Sequence, residues 1–169
     1  MPLSIRLATA SDLPFLPPIE VAAGAAFTAV NMWEIAADAP PGPDELARYQ
    51  RDGRAWVALR DAVPAGYLLA ARVDGAAHVE QVTVHPDHAG QRIGAALIDR
   101  CAAWGRSWGA RRTTLTTFAD VPWNAPYYER LGFTVVPARA LTPGLAAIRA
   151  AEAARGLDRW PRVAMSRDS

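Results

Sequence analysis

The stretch His78–Arg100, HVEQVTVHPDHAGQRIGAALIDR, constrains the fold more than any other part of the chain. A β-rich run from His78 to Val84 meets a turn at His85–Pro86–Asp87. A glycine-spaced loop, Gly90–Gln91–Arg92–Ile93–Gly94, follows and opens directly into an amphipathic helix. Strand, loop and helix in that order build an anion site. The first N–H groups of a helix lack a backbone acceptor, and the macrodipole makes that end positive. Glycines let the main chain come close to a phosphate. The stretch therefore reads as the seat of a phosphate-bearing cofactor.

The strand entering this loop has an irregular apolar phase. Val82 and Val84 share one face under period-two alternation, and Val79 falls on the other. Burial on both faces accounts for the slip, and so does a β-bulge that leaves a main-chain N–H or C=O free beside the loop. In the helix, Ile93, Leu97, Cys101, Trp104 and Trp108 recur at spacings of four, four, three and four, which is one helical face. Gly109 supplies the stop. Arg111–Phe118, RRTTLTTF, is β-branched and reads as a strand. Strand, helix and strand form a crossover, so the two strands lie parallel.

Upstream, Leu3–Leu7 alternates as a half-buried strand. Ser11 or Asp12 caps a helix running towards Phe27, which Pro17–Pro18 kinks or restarts. Residues 28–43 end in a loop, Asp38–Ala39–Pro40–Pro41–Gly42–Pro43, preceded by Val30, Met32, Trp33 and Ile35; such a cluster belongs to the core or lines a pocket. Pro43–Asp44–Glu45 starts a short helix. Residues 55–59 and 65–70 read as hairpin strands joined by Asp61–Ala62–Val63–Pro64, and Asp74–Gly75 marks the next tight turn. A three-strand antiparallel meander results. Downstream, Asn124 is the N-cap of a two-turn helix with Pro126 in its first turn and Gly132 as its stop. Residues 133–136 and 162–166 read as strands, and the Ala-rich run 143–157 as a helix.

Composition narrows the classes. At 169 residues, with no linker or repeat, the chain reads as a single domain, 1–169. A formal net charge of +1 offers no reason to expect nucleic acid or a membrane surface as partner. One cysteine, Cys101, rules out an internal disulfide and a multi-cysteine zinc site. The opening residues lack a signal-peptide pattern, and no apolar stretch approaches the roughly 20 residues that span a bilayer. The expectation is a cytoplasmic protein. His78, His85, Asp87 and His88 match no zinc spacing, so no metal is expected.

Two blocks, VTVHPDHAGQRIGAALI and NAPYYERLGF, resemble the signatures of the GNAT-type N-acetyltransferase superfamily. The order of elements resembles that fold over most of the chain. The resemblance implies an α/β fold of the α+β type: a GNAT-like mixed, mostly antiparallel central sheet of six to seven strands flanked by helices, with splayed central parallel strands. It also implies acetyl-CoA as cosubstrate and a small-molecule or peptide amine as acceptor. The alternative is a non-catalytic CoA-binding sensor or scaffold of the same fold. Dimerisation, as a homodimer, is compatible with this fold, though no residue pattern marks it.

By the same resemblance, Val82, Thr83 and Val84 offer main-chain groups to the acetyl-pantetheine arm. Ala89, Gly90, Gln91, Arg92, Ile93, Gly94 and Ala95 hold the pyrophosphate, while Asn124 and Tyr127 flank the pantetheine end. The pattern departs from its relatives at Ala89, where Gln or Arg is usual, and at Arg92, where Gly is usual. Tyr128 matches the usual proton donor, with Tyr127 as competitor. Glu80, acting through a water, is the candidate base that neutralises the attacking amine. Its competing reading is a surface or ion-paired glutamate. Thr116 stands where some relatives carry a glutamate, so no second carboxylate is evident on that strand. Phe27, Met32, Trp33 and Trp123 are the candidate acceptor-pocket residues, with plain packing as the alternative.

Overall fold

The computed structural model describes residues 2–169. Seven strands form one mixed sheet: β1 (Leu3–Leu7), β2 (Ala55–Arg60), β3 (Val63–Val73), β4 (Ala76–Val84), β5 (Arg112–Phe118), β6 (Thr134–Val136) and β7 (Arg162–Asp168). Their order across the sheet is β1-β2-β3-β4-β5-β7-β6. The α-helices are α1 (Leu16–Gly24), α2 (Trp33–Ala36), α3 (Pro43–Arg51), α4 (Ile93–Ser107), α5 (Ala125–Arg130) and α6 (Pro143–Ala154). The parallel pairing expected of the crossover is present: β4 and β5 pair at Ala77–Thr113 and His78–Thr114. β1 with β2, β2 with β3, β5 with β7 and β6 with β7 pair antiparallel.

The chain groups into two compact units. The first runs to Ala70 and resumes over Glu80–Cys101; the second comprises Ala71–Val79 and Ala102–Ser169. β3, β4 and α4 each contribute to both. The core of the first gathers Leu16 and Ile19 of α1, Leu46 of α3, and Val57, Tyr67 and Leu69 of the meander. In the second, Leu115, Phe118, Tyr128, Phe133, Leu145 and Met165 are buried.

Several local expectations change. The first helix is capped by Thr9 rather than Ser11 or Asp12. The Asp12 carboxylate, three residues on, accepts from the Thr9 N–H at 2.7 Å and the Thr9 hydroxyl at 3.0 Å, a reciprocal box that frees neither residue for another cap. Arg6 donates to Asp12 at 2.6 and 3.1 Å, and this hydrogen-bonded pairing holds the carboxyl down at about 2.

The helix towards Phe27 is also not continuous α. It begins as a 3-10 segment, Ala10–Phe15, becomes α1 where Pro17 sits in the first turn, and returns to 3-10 over Ala25–Val30. This helical run, Ala10–Val30, is 21 residues long and apolar enough by length and composition to cross a membrane, contrary to the expectation that none is. Its Asp12 and Glu20 are engaged with neighbouring parts of the first unit, which ties it to the fold. In the next hairpin the turn is Asp61–Ala62 alone, both with positive φ, and Val63–Pro64 already belong to β3.

Candidate active site

The loop before α4 has the conformation of an anion cradle. Ala89 to Arg92 are exposed, and Ile93 is buried as the anchor of the helix. Gly90 and Arg92 adopt left-handed backbone, φ +76° and +62°, on either side of Gln91. Such alternation turns successive N–H groups towards one point. The Ala96 N–H reaches the Arg92 carbonyl at 3.1 Å, so Arg92 precedes the first turn. The N–H groups of Ile93, Gly94 and Ala95 then emerge at the positive end of a 15-residue helix without an intrahelical acceptor. Arg92 thus adopts the left-handed backbone that glycine takes freely, and adds a cation.

On β4, Glu80 is exposed, Val82 and Val84 are half-buried, and Thr83 is buried. The phase slip has a simple origin. Val79, Gln81 and Thr83 share one face; Val79 is buried, and the two polar residues that follow meet the Glu20 carboxylate from α1. The other face of this segment carries exposed Glu80 and half-buried Val82 and Val84. Close to it, a Cβ on Gly66 of β3 would lie 2.8 Å from the Thr83 carbonyl oxygen, so only glycine fits there. Of the candidate pocket residues in this unit, Met32 is buried at 3% exposure, Phe27 is half-buried and Trp33 is 62% exposed.

The second unit holds the other candidates. Asn124 is the N-cap of α5 by position, but its side chain makes no capping bond. Its Oδ1 is instead buried without a hydrogen-bond partner, a group that a ligand donor would satisfy. Tyr128 is buried, its ring 5.4 Å from that of Tyr127 and 6.0 Å from that of Phe133. Burial, and then the neighbouring Tyr127, push its phenol well above the usual tyrosine value. Tyr127 is half-buried and Trp123 exposed.

The profile of the acetyltransferase (GNAT) family matches residues 25–133. The chain belongs to that family. Among solved structures, the GNAT chain is similar over its whole length to PaiA N-acetyltransferase from Thermoplasma acidophilum in complex with coenzyme A, with a TM-score of 0.71, 14% identity and 100% of both chains covered. It is similar to N-acetylglutamate synthase from Neisseria gonorrhoeae, complexed with coenzyme A and N-acetyl-glutamate. There the TM-score is 0.72 at 15% identity, over 99% of this chain and 35% of the other. A nourseothricin acetyltransferase matches at 26% identity and TM-score 0.51, over 68% of this chain and 64% of the other. The seven-strand mixed sheet with flanking helices is the GNAT architecture that the resemblance implied.

Two carboxylates of this GNAT fold escaped the sequence reading. Glu20 sits in an apolar run, and nothing in its spacing points to Gln81 and Thr83. Glu152 lies in an Ala-rich helix, yet α6 delivers it to Thr116, whose hydroxyl donates to it at 2.6 Å. Strand β5 thus has a carboxylate partner after all. Arg149 and Arg162 pair with Glu152 at 2.9 and 3.1 Å. Burial raises its carboxyl, but the Thr116 bond and the two guanidinium groups reverse this and leave it below the usual range. A signal existed only in the pairing of Glu152 with Arg149 one helical turn away.

Two of the three histidines have polar partners that explain them. His78 Nδ1 lies 2.8 Å from the Thr114 hydroxyl, buried where β4 and β5 pair. His85 Nδ1 accepts from the Asp87 N–H at 3.1 Å in the turn before the loop.

Proposed function

We propose that this chain is an acetyl-CoA-dependent N-acetyltransferase that moves the acetyl group directly to a primary amine on a small molecule or peptide. The conformation of loop 89–95 carries the reading: left-handed Gly90 and Arg92 before a long helix present main-chain donors suited to a pyrophosphate. The orphaned Asn124 Oδ1 supports it, since an acceptor buried without a partner is costly until a donor arrives. Coenzyme A in two of the similar structures agrees.

In this reading the amine must lose its proton as it attacks, and Glu80 takes it through a water. A main-chain N–H near Val82 or Val84 steadies the developing oxyanion. The C–N bond forms, the C–S bond breaks, and a thiol with a reference pKa of about 8.5 leaves. The Tyr128 phenol, held protonated by its burial, gives its proton to the departing sulfur as general acid and regains one from solvent. Holding thioester and amine in line is the remaining contribution.

Acetyl-CoA consumption across an amine panel tests the whole. With an accepted amine, Tyr128→Phe lowers turnover about 100-fold, an effect typical of losing an acid–base partner, while Tyr127→Phe stays near the parent. The reverse result moves the role to Tyr127. Glu80→Gln removes the acid limb of the pH–rate profile, and an unchanged profile removes Glu80 from the mechanism. Cofactor binding without turnover on any amine selects the sensor instead.

A further inference from the structure

Glu20 makes more polar contacts than its position in an apolar helix explains. Its Oε2 accepts from the Thr83 hydroxyl at 2.6 Å, from Gln81 Nε2 at 2.8 Å and from the Tyr67 hydroxyl at 3.1 Å. Its Oε1 accepts from Gln81 Nε2 at 3.0 Å. The Gln81 amide also donates to the Thr83 hydroxyl at 2.8 Å, closing a ring of bonds. Tyr67 is fully buried, and its phenol is raised first by burial and then by the Glu20 charge, so it stays a donor.

All of these partners are neutral. A carboxylate taken partly out of water and met only by hydroxyls and an amide gains little net stability for the helix that carries it. An apolar side chain would pack α1 as well. What the arrangement does accomplish is geometric. Gln81 and Thr83 are alternate residues of β4, and Val82 lies between them with its side chain on the other face. A carboxylate that holds both fixes the pleat of that segment. From β3 the same segment is confined by Gly66, where a Cβ would meet the Thr83 carbonyl, and by the His85 N–H, which reaches the Ala65 carbonyl at 2.8 Å.

We infer that Glu20 is a positioning residue: by clamping Gln81 and Thr83 it sets the main-chain path of Val82–Val84 that receives the acetyl-pantetheine arm. The inference rests on the transfer reading above. Glu20 touches neither substrate; it acts through β4.

Two ligands separate the outcomes in calorimetry: acetyl-CoA, and 3′-phospho-ADP, which has the pyrophosphate but no pantetheine arm. Glu20→Gln and Gln81→Glu each weaken acetyl-CoA about tenfold, the loss of one or two hydrogen bonds' worth of alignment. Neither changes 3′-phospho-ADP. The reciprocal double variant, Glu20→Gln with Gln81→Glu, restores the carboxylate–amide pair and the acetyl-CoA affinity. Tyr67→Phe leaves Gln81 and Thr83 held and binds acetyl-CoA like the parent. Equal weakening of both ligands, or no weakening of either, overturns the clamp. So does a double variant no better than the singles. Absence of heat from both ligands with the unaltered protein overturns the transfer reading and takes the clamp with it.

Discussion

Glu20 and Glu152 are both drawn out of solvent, each from a helix onto the sheet, and they are treated in opposite ways. In the second unit Glu152 meets two guanidinium groups and a hydroxyl; Arg149 continues to Asp158 at 2.8 Å, and Arg162 lies 4.4 Å over the Phe118 ring. Charge there is compensated on the spot. In the first unit Glu20 meets neutral donors only, and Arg92 of the loop stays in left-handed backbone. The second pattern is that of a scaffold. The first leaves local cost in place beside the groups that would hold a ligand, which is where proteins tolerate it.

The comparison is broken most readily at Glu152. Removing it strands Arg162, whose side chain is 9% exposed, and Glu152→Ala should cost about 3 kcal/mol, as breaking buried pairs does. Thermal unfolding should show a fall of about 6–12 °C. Glu20→Gln should cost only about 1 kcal/mol, because the amide oxygen still accepts from the same neutral donors. Equal losses at the two sites would erase the distinction.

His78 gives the next effect in size. Burial, opposed in part by the Glu152 charge, lowers it to about 4, from the ordinary imidazole value of about 6.5. Between these values the unfolded chain binds the proton that the folded one refuses. Stability is therefore full above about pH 6.5 and falls as the pH drops towards 4, by up to about 3 kcal/mol. Denaturant midpoints between pH 7 and 4 should show this slope, and His78→Gln should flatten it.

The smallest effect is at Arg92. Arg92→Gly relieves a left-handed residue at about 1–2 kcal/mol but adds unfolded-state freedom, for a net gain of about 0.5 kcal/mol. A rise of about 1–2 °C in the unfolding midpoint should accompany it. A fall would mean that the loop is held by the Arg92 side chain rather than strained by its backbone.

The meander, the crossover and α5 were legible because each carries a local signal: Asp74–Gly75, the 3.6-residue stripe of α4, and Gly132. The glycine-spaced loop was legible from Gly90 and Gly94, but the left-handed backbone of Arg92 was not, since arginine carries no such preference. The capping of the first helix was misread because Thr9, Ser11 and Asp12 all suit the role, and only the Asp12 bonds to Thr9 decide it. Asn124 was placed at the N-cap correctly, but its unbonded Oδ1 depends on packing around the side chain. Glu20 and Glu152 were illegible for one reason. Each is defined by partners 47 or more and 36 residues away respectively, Tyr67 for the first and Thr116 for the second, and no periodicity within a helix encodes such a distance.

The lone thiol has a use that follows from its burial. Cys101 is sealed on the inner face of α4, in the same helix whose first turn presents the loop's donors. With no second cysteine to compete, a thiol reagent reports only those openings, local or global, that uncover the buried side of that helix. The protein thereby contains its own clock for how often that helix opens.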